Sequence, residues 1–223
     1  MIYLGMIIDV GGKMQAYIFD LDGTLFDSMG VWRKIDDNFF GKRGLVCPED
    51  YASAILPMPF DESSRYTIER FGLSETPEEV QQEWLDLAIH AYTTEVDFKP
   101  GAKDYLGSLL AKGVKLAVAT SLPKEIMIPT LHKHGIYHIF HAICTAQDVG
   151  CGKNKPDVFI LAAKELGVTP EDCLLYDDIL PAVRSAKSIG MKVCAVYDET
   201  SADNWDEIQK IADCTIMDFK ELV

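Results

Sequence analysis

Three acidic residues crowd the stretch YIFDLDGTLFDS, residues 17–28: Asp20, Asp22 and Asp27. The first two lie two positions apart at the end of an apolar run and are followed by Gly23 and Thr24. Further along, Thr120 and Ser121 close the run VKLAVATS, Lys153 sits in CGKNKPD, and Asp177 and Asp178 close CLLYDD. Carboxylates gathered in one place repel each other unless a hard cation shares them, and a small set of oxygen ligands suits magnesium. Lys153 and Thr120 add nothing to cation binding. They suit the non-bridging oxygens of a phosphoryl group, as do backbone N–H groups in the turn containing Gly23. A metal ion, a phosphate cradle and a spare carboxylate together equip a site for phosphoryl transfer.

That chemistry requires four segments distant in sequence to meet. Apolar runs rich in branched residues at 15–19, 114–119, 139–144, 173–176 and 193–197 read as buried strands. Helical patterns at 102–112, 124–134, 156–166 and 181–189 lie between them. The alternation predicts an α/β fold, a doubly wound parallel sheet whose ligands bind beyond the carboxyl ends of the strands. Every candidate residue falls at such an end. The interval between the first two strands is far longer than one crossover helix needs. It holds helical stretches at 30–41, 49–55, 61–71 and 77–94, the last opened by a capping box of Thr76, Pro77 and Glu79. A helical cap domain over 29–97, inserted in a core of 1–28 and 98–223, is the expectation.

In this order, the FDLDGT turn, the Thr120 strand end, the Lys153 loop and the Asp177-Asp178 pair resemble the motifs of the haloacid dehalogenase superfamily. The likeness spans residues 15–220 and is to its phosphatases with a helical, C1-type cap, in the branch of β-phosphoglucomutase and phosphoglycolate phosphatase. It implies a Rossmann-like core and a Mg2+-dependent phosphatase. Asp20 would be the nucleophile that forms an aspartyl-phosphate, and Asp22 the general acid and then the base. Thr120 and Lys153 would hold the phosphoryl group with help from Gly23, Thr24 and Ser121. Asp20, Asp178, Asp177 and the carbonyl oxygen of Asp22 would surround the metal. The chain departs from the family in two places. The lysine loop reads Gly152-Lys153-Asn154-Lys155-Pro156-Asp157 where relatives often have G-K-P-x-P-D, so Lys155 stays an alternative to Lys153. The second acidic pair reads Asp177-Asp178-Ile179 where Glu-Asp-Ser is usual, and the shorter Asp177 would reach a metal through water.

The resemblance also makes the cap the source of specificity. Ten residues beyond Asp22, where β-phosphoglucomutases have His, stands Trp32; where they hold a distal phosphate with Arg stands Phe60. Residues 28–98 carry 14 acidic side chains against 6 basic ones, an unfavourable setting for a bisphosphate. The expected substrate is therefore a small phosphorylated metabolite, a sugar phosphate or similar, whose organic part meets Trp32 and Phe60. A β-phosphoglucomutase-type mutase and a non-catalytic binding protein of the same fold are the alternatives. Dehalogenation is disfavoured by Asp22, because a departing halide needs no proton.

A formal charge of −14 and a pI near 4.7 argue against nucleic acid or anionic membrane as partners. Six scattered cysteines without a C-x-x-C pair read as reduced core thiols of a cytoplasmic protein, a monomer or weak homodimer. The N-terminal MIYLGMIIDVGGK is apolar but too short to span a membrane and reads as an extension before Met14. His132, His134, His138 and His141 read as surface residues, Trp84 and Tyr92 as packing inside the cap. Asp27 and Ser28 read as caps of its first helix.

Overall fold

Alternation along the first apolar run decides the layering of the molecule, whose computed structural model describes residues 14–55, 58 and 60–223. In β1 (Ala16–Phe19), Ala16 and Ile18 join one buried cluster while Phe19 joins another. Successive side chains of a strand point to opposite faces, so a sheet covered on both sides needs apolar residues at nearly every position. The same pattern fills β2 (Lys115–Thr120), β3 (Ala142–Thr145), β4 (Cys173–Asp177) and β5 (Lys192–Val196), and β6 (Cys214–Ile216) closes the edge. All pairs are parallel, in the order β3-β2-β1-β4-β5-β6.

Between β1 and β2 the chain makes α1 (Met29–Gly41), α2 (Tyr51–Ile55), α3 (Phe60–Phe71) and α4 (Pro77–Thr94). The connections that follow use α5 (Ala102–Ala111), α6 (Lys124–Lys133), α7 (Ala146–Val149), α8 (Asp157–Leu166), α9 (Leu180–Ser188) and α10 (Trp205–Ile211). One sheet face, with Phe19, Val118 and Tyr176, packs with Leu106 of α5 and Leu131 of α6. The other, with Ile18, Ala117 and Leu175, packs with Phe159 of α8 and Val183 of α9.

The helices of the insert carry a small core of their own, built from Phe39, Phe40, Tyr51, Val80 and Trp84. Thr76 caps α4 as expected: its Oγ1 accepts from the Glu79 N–H at 3.3 Å, and Glu79 Oε2 accepts from the Thr76 N–H at 2.8 Å. Two segments tether the insert. The Asp27 N–H donates to the Asp97 carbonyl at 3.0 Å, and the Lys99 N–H to the Leu25 carbonyl at 2.8 Å. Lys99 Nζ then anchors this junction to the core through Asp198 Oδ2 at 2.8 Å and the Tyr197 carbonyl at 2.7 Å. Elsewhere α4 rests on α6.

Some elements differ from the sequence reading. The third strand starts at Ala142 rather than 139, because Tyr137–Ile139 form a 3-10 turn. The strand β6 and the helices α7 and α10 are too short for their periodicity to be read. Ser28 sits at the N-cap of α1 with helical rather than extended backbone angles and makes no capping bond; its hydroxyl donates to Asp22. No helix among the described residues is long and apolar enough to cross a membrane. All six cysteines are free, four of them buried. The extension before Met14 lies outside the described residues.

The strand order has one functional consequence. From central β1 the chain runs outward through β2 and β3, then returns to build β4, β5 and β6 on the other side. Such a reversal opens a crevice at the carboxyl ends of the two central strands, where ligands of open α/β sheets bind. Phe19 is paired with Tyr176, and the Asp20 N–H donates to the Tyr176 carbonyl at 3.0 Å. The register therefore brings Asp20 level with Asp177.

Candidate active site

Beyond β1 the chain turns at once. The Thr24 and Phe26 N–H groups both donate to the Leu21 carbonyl, at 3.2 and 2.9 Å, and Gly23 takes φ +72°. A Cβ at Gly23 would lie 2.6 Å from Asp178 Oδ2. Glycine thus serves twice: it permits the left-handed turn and lets the end of β4 approach.

Three buried carboxylates meet in that gap, those of Asp20, Asp177 and Asp178, each offering an oxygen within 4.8 Å of the others. Lys153 joins them, 4% exposed. Its Nζ stands 2.5 Å from Asp20 Oδ1 and donates to Asp177 Oδ2 at 2.9 Å. The lysine loop is pinned by the Ser185 hydroxyl, which donates to the Lys153 carbonyl at 2.7 Å. Asp177 Oδ1 accepts from the Ile179 N–H at 3.2 Å, and Asp178 Oδ1 accepts from the Thr24 hydroxyl at 2.9 Å. Three acids face one ammonium. Burial, then the neighbouring negative charges, pushes Asp178 well above the carboxylate range. Burial likewise takes Asp177 to about 6, against the pull of Lys153. For Lys153 burial works the other way, but Asp177 and Asp20 overcome it and hold the ammonium charged.

This arrangement fits a magnesium ion. Asp20 Oδ1 is buried against the Lys153 ammonium, 2.5 Å away, one cation beside three carboxylates. The donors are all oxygens and carry excess negative charge, which a hard divalent cation neutralises. The Asp22 carboxylate is not among them.

Asp22 faces the insert instead. Its Oδ1 accepts from the Ser28 hydroxyl at 2.6 Å and from the Tyr92 hydroxyl at 2.7 Å. Burial raises its pKa to about 6; the Ser28 and Tyr92 hydrogen bonds pull it down while Asp20 pushes it up. Burial and the adjacent Asp22 push the Tyr92 phenol far above its ordinary value, so it stays a donor. Tyr92 was expected only to pack inside the insert, and nothing in the helical periodicity of α4 distinguishes a packing ring from one whose hydroxyl reaches another segment.

Thr120 is buried at the end of β2, its Oγ1 accepting from the Leu122 N–H at 3.1 Å, while Ser121 is exposed. Lys155 is exposed as well, unlike Lys153. Trp32 is half-buried and meets Tyr92 edge-on, ring centroids 6.1 Å apart. It also lines a mainly apolar cavity of about 400 Å³ between insert and core, with Ile35, Trp84, Ala88, Pro123 and Ile126. None of the cluster residues lines this cavity. Phe60 opens α3, and its side chain lies outside the described residues. His134 is not a surface residue: it is half-buried, its ring 4.9 Å from those of Phe26 and Phe98 in the two tethers, whereas His132, His138 and His141 are exposed.

Comparison with known proteins follows the same lines. A family model described as haloacid dehalogenase-like hydrolase matches residues 17–196. The phosphorylated carbohydrates phosphatase of Thermotoga maritima is 25% identical over 183 residues, which cover 80% of this chain and 83% of that protein. Hexitol phosphatase A of Escherichia coli is 27% identical over 201 residues, 89% of this chain and 90% of that one. The crystal structure of CbbY from Rhodobacter sphaeroides in complex with xylulose-(1,5)bisphosphate shares the fold. Its TM-score is 0.76 at 23% identity, covering 94% of this chain and 96% of that one.

Proposed function

The chain belongs to the haloacid dehalogenase-like hydrolases, and from that premise we propose that it is a Mg2+-dependent phosphomonoester hydrolase acting on a small phosphorylated metabolite. The observation that carries the reading is the pairing of two different carboxyl groups at one strand end. Asp20 is buried in ion-pair contact with Lys153, while Asp22 is hydrogen-bonded by Ser28 and Tyr92 and raised to about 6. One suits a nucleophile and the other a group that must both give and take a proton near neutral pH.

In this mechanism an Asp20 oxygen attacks phosphorus and the bond to the leaving alcohol breaks, giving an aspartyl-phosphate. Asp22 delivers its proton to the departing oxygen, then takes one from the water that hydrolyses the acyl phosphate. Lys153 and Thr120 hold the non-bridging oxygens, with the backbone of the Gly23-Thr24 turn and Ser121 completing the cradle. Asp20, Asp177 and Asp178 would hold the magnesium ion, which supplies charge neutralisation for the phosphoryl group. Residues 29–97 act as the cap over a core of 1–28 and 98–223, and the cap delivers Tyr92 to Asp22 and Trp32 to the substrate side. Relatives that act on phosphorylated carbohydrates and hexitol phosphates favour a metabolite-sized substrate.

The test is hydrolysis of p-nitrophenyl phosphate with Mg2+. Asp20→Asn should abolish it, and retained turnover would remove the nucleophile from the scheme. Glucose 1-phosphate supplied with catalytic bisphosphate separates a hydrolase, which releases phosphate, from a mutase, which yields glucose 6-phosphate.

A further inference from the structure

The cavity beside Trp32 has a composition that the hydrolase reading does not explain. On α1, Trp32, Ile35 and Asp36 line it together, the spacing of one helix face. Asp36 is half-buried there and has no hydrogen bond or ion pair among the described residues. Its neighbour Arg33 is exposed and sits 3.4 Å from Asp37. Across the cavity, at the start of α6, stands a second carboxylate, Glu125. Among the described lining residues there is no Lys, Arg or His. A carboxylate facing an apolar cavity without a partner is unfavourable until something positive arrives. Burial accordingly raises the Asp36 carboxyl to about 6, with Arg33 pulling down and Asp37 pushing up.

We propose that this cavity selects a phosphomonoester whose alcohol part is an alkylammonium group, an apolar body carrying a positive nitrogen that Asp36 binds. The inference rests on the hydrolase reading and specifies its substrate class. Trp32 and Trp84 both line the cavity, and indole rings attract such cations. The overall charge of −14 adds a field in the same direction. Apart from the two carboxylates a polyol would find Ser63 and Gln147 on these mainly apolar walls, and a second phosphate would find no cation among the described lining residues. Trp32 connects the cavity to the chemistry, since its ring meets Tyr92 and the Tyr92 hydroxyl donates to Asp22. A leaving alcohol protonated by Asp22 would therefore leave next to the cavity.

The decisive pair of substrates is phosphocholine and 3,3-dimethylbutyl phosphate, which share a shape and differ by one positive charge. The wild-type kcat/KM should favour phosphocholine by about tenfold or more, the size of one desolvated cation contact. In Asp36→Asn that ratio should fall toward one, and in Asp36→Lys it should invert, with thermal melts confirming that each variant folds. A wild-type ratio of one or less, or a ratio unchanged in folded Asp36→Asn, would overturn the proposal. Calorimetric binding of the same two esters gives a readout independent of turnover, with about tenfold tighter binding of phosphocholine expected. If no ester, p-nitrophenyl phosphate included, releases phosphate in Mg2+, it is the hydrolase reading that fails, and the binding ratio still decides the cation preference.

Discussion

Removing one oxygen, in Tyr92→Phe, isolates the contact that joins the helical insert to the proposed acid. The ring and its edge-on packing against Trp32 remain, so the fold should persist with a melting temperature close to wild type. What is lost is the 2.7 Å hydrogen bond onto Asp22 Oδ1. Bonds to charged groups contribute about 1.5–3 kcal/mol, and the lower end applies because Ser28, at 2.6 Å, still serves the same oxygen. About 1.4 kcal/mol corresponds to tenfold, so kcat/KM for an alkyl phosphate such as glycerol phosphate should fall by roughly that factor. The loss should be smaller for p-nitrophenyl phosphate, whose leaving group needs little protonation. A second readout follows from electrostatics. The Tyr92 hydrogen bond lowers the Asp22 pKa, so its removal raises it, and Asp22 keeps its proton to higher pH. The alkaline limb of kcat/KM for the alkyl substrate should therefore move upward. Phosphate release measured across the pH range in both proteins tests this, and an unchanged rate with an unmoved limb would refute the role given to Tyr92.

The lysine loop separates cleanly: Lys153→Ala should lose nearly all turnover, because it strips the ammonium that pairs with Asp20 and Asp177, while Lys155→Ala, at an exposed position, should stay near wild type in a phosphate-release assay. Gly23→Ala places a methyl 2.6 Å from Asp178 Oδ2 at a positive φ, so both melting temperature and Mg2+ affinity should fall, the first by a differential scan and the second by titration. In chelator, melting temperature should rise as pH is lowered from 7 to 5. The carboxyls of Asp22, Asp177 and Asp178 have folded pKa values above their unfolded ones, so their contribution to stability is full at about pH 4 and below and is lost as pH climbs through the raised values, about 6 for Asp22 and Asp177. His134, whose pKa burial lowers, opposes this trend with a single group, and carboxyls held low by partners, such as Asp198 and Asp148, weaken the fold only at more acid pH. Millimolar Mg2+ at pH 7 should recover the lost stability, and a melting temperature that fell from pH 7 to 5 in chelator would contradict the assignment of the buried acids.

Much of this molecule was legible before any coordinate. Strand ends, glycine turns and apolar alternation are local properties, so β1, β2, β4 and β5 and the insert helices could be placed to within a few residues. Alternation of strand and helix then makes the strands parallel, and parallel strands put Asp20, Thr120, Asp177 and the loop of Lys153 beyond the same end of the sheet. The Thr76 capping box was equally readable, because its partners are three residues apart.

Packing decided the rest. Tyr92 and Asp22 are 70 positions apart and meet only because α4 lies across the carboxyl end of the sheet at a particular rotation. Ser28 looks like a helix cap in sequence, yet its hydroxyl donates to Asp22 and makes no capping bond. Counting back from Pro156-Asp157 favours Lys153 but leaves Lys155 as an alternative, and their different burial separates them. His134 became part of the tethers between insert and core, and Asp36 part of a cavity wall, through contacts made by other segments. Residue type and spacing determine which groups are available and which strand end or helix face carries them. Which of those groups touch depends on helix rotation and on the approach of segments far apart in the chain, and short-range periodicity carries no information about either.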